Sequence, residues 1–139
     1  MPLIYRTMRR DDDYKPTVGQ EFCTLGARPN EIDLDVQNKA IPSDKGMSVA
    51  PHWHLLPLVV LPRRLHPAGR CKVPVHSFRR GEGQFHQAAC GNNLELIPDP
   101  PQAGVVTHGI VRPAQAVPVA DHQQNIAATR EEWEIDENP

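Results

Sequence analysis

No apolar run in the chain is long enough to cross a bilayer. LLPLVVLP (55–62) is short and is broken by Pro57 and Pro62, whereas a spanning helix needs about 20 apolar residues. The opening residues, MPLIYRTMRRDDD, carry no apolar stretch of export-signal length. The expectation is a protein without membrane contact that works in a cytoplasm. Cysteine is scarce: Cys23, Cys71 and Cys90 are odd in number, widely spaced and free of any CxxC pair. That excludes a disulfide framework and points to reduced thiols. Aromatic residues make up 5% of the chain, too few for the stacking platforms of single-strand binders, so a nucleic-acid partner ranks low.

Acidic residues are absent between Asp44 and Glu82, a stretch that holds Lys45, Arg63, Arg64, Arg70, Lys72, Arg79, Arg80 and four histidines. The tail after Arg130 is the reverse, with Glu131, Glu132, Glu134, Asp136 and Glu137. A basic middle fits an anionic partner such as a dinucleotide phosphate, a nucleic acid or an acidic protein; it equally fits a solvated face balanced by the tail.

What is abundant is proline, 15 in 139 residues. Each removes a backbone donor and fixes φ, which excludes long helices and long central strands. The length suits one domain spanning 1–139. Short β-prone runs predict strands over 2–9, 31–36, 46–50, 70–78, 93–99 and 104–114. The segment 118–135 predicts the one good helix, with Pro118 near its start and Val119, Ile126 and Trp133 on one stripe. The sum is an α+β domain, β-rich and closed by a C-terminal helix.

Seven candidate metal ligands, among them Cys71 and Cys90, lie between His52 and Cys90, but only His52 and His54 form a close pair. Zinc sites are usually built from two such pairs, so no metal site is expected. No cysteine carries the local signature of a thiol nucleophile. GEG (81–83) and DKG (44–46) are turns, not a phosphate loop.

A set of short signals occurs in a telling order: LIYRTM on the first strand, GMSVAP on a later one, then LELIPDPPQAGVVTHGIVRPAQAV and the helix IAATREEW. This set resembles the ADP-ribosyltransferase-like toxin family of bacterial type VI secretion effectors. The resemblance covers most of the chain, and the segment from His108 to Ala114 is its most specific part. It implies a core of two small packed sheets around a cleft that binds NAD. It also implies an intracellular target and a cognate immunity protein. Tyr5 and Arg6 stand where such folds place a first-strand arginine against the phosphates or ribose of NAD. Met47 and Ser48 match the strand that supports the nicotinamide pocket. These folds often end with a catalytic glutamate. Here the strand THGIVRPA offers His108 and Arg112 instead, which leaves NAD binding alone, or a transferase with His108 as its polar catalytic group.

Physical chemistry supports the same candidates. A guanidinium fork pairs bidentately with phosphates. The Ser48 hydroxyl suits a ribose or carboxamide. Trp53 or Tyr5 suits stacking on nicotinamide. Each also has a plainer reading: Arg6 paired with Asp11 to Asp13, Ser48 in a turn, Trp53 in the core, His108 as a structural histidine. The competing function is a non-enzymatic protein that docks an acidic partner through the basic middle.

Overall fold

The computed structural model describes residues 1–139. Its strands are β1 (Ile4–Met8), β2 (Asp33–Leu34), β3 (Lys39–Ile41), β4 (Met47–Val49), β5 (His76–Arg80), β6 (Ala88–Gly91), β7 (Leu94–Pro98), β8 (Gly109–Pro113), β9 (Val117–Pro118) and β10 (Glu134–Ile135), with one helix, α1 (Val119–Ala127). Proline density shows in these lengths: no strand exceeds five residues and α1 has nine.

The fold is α+β, but the strands form three antiparallel sheets where two were expected. Their orders are β1-β5-β10, β2-β3-β9 and β4-β8-β7-β6. Ile4 faces Arg80 and Met8 faces His76 across the first sheet. The first and third sheets meet where Tyr5 and Ala50 exchange backbone hydrogen bonds of 2.8 and 3.0 Å. β1 is therefore buried along its whole length. Alternation sends Ile4 and Met8 into a main core with Met47, Val49, Phe78, Leu96, Val111, Ile126 and Trp133. Tyr5 points the other way, into a smaller cluster with Ala50, Trp53, Leu56 and Leu61.

Several expected elements change extent for local reasons. The helix ends at Ala127 because Thr129 turns its hydroxyl onto the Ile126 carbonyl at 2.7 Å, and a 3-10 turn over Arg130–Glu132 follows. Residues 134–135 then gain ladder bonds as β10. Ile126 and Trp133 still reach the core, while Val119 is half-buried. The strand expected at 70–78 begins only at His76, because the Arg70 and Cys71 amides bond back to the Leu58 and Leu61 carbonyls. The strand expected at 31–36 shrinks to Asp33–Leu34. Asp35 accepts the Gln37 and Lys39 amides, Asn38 adopts φ 59°, and the chain folds back as β3. The proline-broken run at 55–62 is two 3-10 turns, Trp53–Leu55 and Leu58–Val60, with loop between and after them. No helix is long and apolar enough to cross a membrane.

Candidate functional site

Arg6 is the most heavily bonded buried cation near a cavity. Its side chain, 8% exposed, crosses from β1 to two loop and strand carbonyls. Nε and Nη2 donate to the Thr24 carbonyl at 3.2 and 3.0 Å, and Nη1 donates to the Ser48 carbonyl at 2.8 Å. A guanidinium has five N–H groups, so one hydrogen on each terminal nitrogen has no acceptor within the chain. No carboxylate lies within ion-pair distance. Burial chiefly pulls its pKa down, with a smaller push from the Arg28 charge, and nearby Glu31 opposes that. Arg6 does not pair with Asp11 to Asp13; Asp11 and Asp13 belong to Arg130.

Beside Arg6 is a cavity of about 220 Å³. One wall is polar: Arg6, Thr7, Cys23, Arg28, Glu31 and Ser48. The other is apolar, made by Phe22 with Leu56, Pro57, Val59 and Val60 from the proline-broken run. Thr7 is 2% exposed and its hydroxyl oxygen has no hydrogen-bond partner. Glu31 reaches back to the Arg28 amide at 2.9 Å and lies 3.5 Å from the Arg28 guanidinium. Cys23 adopts φ 55°. Burial, then the neighbouring Cys71, push its thiol up to about 11, so it is not a thiolate at neutral pH and does not serve as a nucleophile.

Of the residues singled out in the sequence, Arg6 and Ser48 meet here although 42 positions apart. The others do not line this cavity. Met47 alternates away from Ser48 into the main core, 2% exposed. Tyr5, adjacent to Arg6 on β1, also faces away; its hydroxyl donates to Asp136 at 3.1 Å. Trp53 lies beside it, and its indole N–H donates to the Asn138 carbonyl at 2.7 Å. The C-terminal residues thus occupy the polar handles of both aromatics expected to stack on nicotinamide. His52 stands between them, its ring 4.9 Å from that of Tyr5. His108 sits just before β8, where its Nδ1 meets Asp99 Oδ2 at 2.7 Å and its carbonyl accepts the Asp99 amide. That ladder contact holds it at the β7–β8 end, outside the lining of the Arg6 cavity.

Sequence reasoning missed Thr7, Arg28 and Glu31. The only local signal was Arg-Pro-Asn-Glu (28–31), where proline opens a 3-10 turn and a glutamate caps it. No three His, Cys, Asp or Glu side chains converge as a metal site would require. Comparison with family models, with curated proteins and with solved structures finds no match.

Proposed function

We propose that the chain is an NAD-dependent ADP-ribosyltransferase-type toxin domain whose cleft is the Arg6 cavity. One observation carries the reading. The first-strand arginine and the serine strand, assigned by the resemblance to a single nucleotide pocket, share one cavity wall through the Arg6 to Ser48 hydrogen bond. The donor set fits the cofactor: Arg6 keeps two guanidinium hydrogens and Thr7 a hydroxyl without a hydrogen-bond partner in the chain, and both residues line the cavity. About 220 Å³ is below the roughly 300–1,000 Å³ of drug-sized sites, so one end of the dinucleotide enters and the rest lies outside.

In this reading NAD supplies an ADP-ribosyl group attached to a nicotinamide leaving group. Arg6 holds a phosphate or ribose oxygen through its free hydrogens. Ser48 offers a hydroxyl to the carboxamide or ribose. Glu31, in the same wall, provides the carboxylate that the THGIVRPA strand lacks, poised to stabilise developing positive charge at the ribose. His108 has no part in it. The intracellular target and an immunity protein remain part of the proposal.

The test combines calorimetric titration with NAD and mass spectrometry of bacterial lysate incubated with labelled NAD. Wild type is expected to bind NAD and to leave ADP-ribose on a target. Arg6→Lys should lose binding while keeping the native circular dichroism spectrum, since lysine lacks the bidentate fork. Glu31→Gln should keep binding and lose transfer. Absence of both NAD binding and adduct for a folded wild-type protein sinks the reading.

A further inference from the structure

Three exposed cations surround a second concavity that no carboxylate lines. Arg63, Arg70 and Lys72 line a recess of about 450 Å³ together with Gly69 and Cys71. None of the three makes a side-chain hydrogen bond or ion pair within the chain, whereas their neighbour Arg64 is held by Glu137 and the Val75 carbonyl. The chain is not short of acids: it has 17 acidic residues against 15 basic ones. Two of the tail acids are committed elsewhere, Asp136 to Arg79 and Tyr5, and Glu137 to Arg64 and His76. Like charges around one recess repel, and an ordinary solvated face intersperses both signs.

The cations are also mounted on a fixed frame. The Leu65 and His66 amides bond to the Pro62 carbonyl, and the Gly69 amide to that of His66. The Arg70 and Cys71 amides return to Leu58 and Leu61. At Gly69 a Cβ would stand 2.4 Å from the Leu61 carbonyl oxygen and 2.7 Å from that of Pro62, so only glycine allows this backbone crossing. A rigid frame lowers the ordering cost of binding.

We propose that the 62–72 loop is a docking site for an acidic polypeptide segment. Charge complementarity names the partner's chemistry, because arginine forks match carboxylates two oxygens at a time. Nucleic acid fits less well, because no aromatic side chain lines the recess to stack a base. The site is separate from the Arg6 cavity and stands without the NAD reading.

The experiment is fluorescence anisotropy with a labelled peptide of alternating glutamate and glycine, set against a glutamine counterpart, inorganic phosphate and a single-stranded oligonucleotide. The acidic peptide is expected to bind, more weakly as salt rises, and the glutamine peptide not to bind. Combined Arg63→Glu, Arg70→Glu and Lys72→Glu should weaken it by about tenfold or more. The thermal midpoint should hold, since all three side chains are exposed. Arg10→Glu, Lys39→Glu and Lys45→Glu change net charge equally and should leave binding nearly intact. Equal losses in both triple variants, no binding by the wild type, or tighter binding of phosphate or oligonucleotide than of the peptide overturns the proposal.

Discussion

His122 is fully enclosed in α1, and neither ring nitrogen has a hydrogen-bond partner. Burial alone lowers its pKa from the usual 6.5. The neutral ring is therefore the folded form, while the unfolded chain takes up a proton as pH drops through about 6.5. Unfolding then binds a proton, so stability falls as pH falls below that value and is fully present above it. Thermal midpoints measured from pH 7.5 to 5 should decline for the wild type, and His122→Phe should flatten most of that slope. A residual slope of the same sign is expected from His52, whose pKa burial and His54 also lower. An unchanged slope in His122→Phe overturns the assignment. At this scale the sequence was half legible. The family resemblance singles out Arg6 and Ser48, and only the strands that carry them are announced by local β propensity. Glu31 could not be named, because its burial comes from the 22–31 loop closing over β1, a contact no neighbour in sequence encodes. His108 misled for the converse reason: its neighbours look strand-like, but strand ends face their ladder partner, here Asp99.

The end of α1 shows how an element can stop while its pattern continues. Val119, Ile126 and Trp133 keep a helical stripe in sequence, yet the helix ends six residues before Trp133. A chain of bonds replaces it: the Trp133 indole donates to the Thr129 hydroxyl at 3.0 Å, and Thr129 donates to the Ile126 carbonyl. The tryptophan, 1% exposed, then plugs the main core beside Ile126. Trp133→Ala should cost about 3–5 kcal/mol in urea unfolding, a large part of the roughly 5–15 kcal/mol of a typical domain. Trp133→Phe keeps much of the ring volume and loses the hydrogen bond, so a smaller loss is expected. Equal effects of the two would mean that the bond, not the packing, is what matters. The stripe was readable because burial repeats with the helical period. Its division into helix, turn and strand was not, because β10 exists only through pairing with β5. The same limit hid β3 and β6, whose few residues carry little propensity and depend on hairpin partners.

Across the whole molecule, the class and the shortness of the elements followed from proline density and period-two runs. The sheet count did not, since which strands pair depends on distant registers. Those registers are long in sequence: β1 pairs with β5, and the Tyr5 hydroxyl meets Asp136 across 131 positions. A chain cut after Ala128 loses Trp133, β10 and the tail contacts to Tyr5, Trp53 and Arg64 together. Limited proteolysis should leave no resistant core from it, whereas the full chain should resist; a resistant fragment of the shortened chain would show that the last residues only decorate the fold. The same tail also sets a clock. At about 5–20 residues per second, the ribosome needs roughly 6–26 s to go from β1 to β10, and β1 waits that long for the strand that completes its sheet. Until residues 134–135 are made, β1 and β5 form a two-stranded piece whose open edge has no partner.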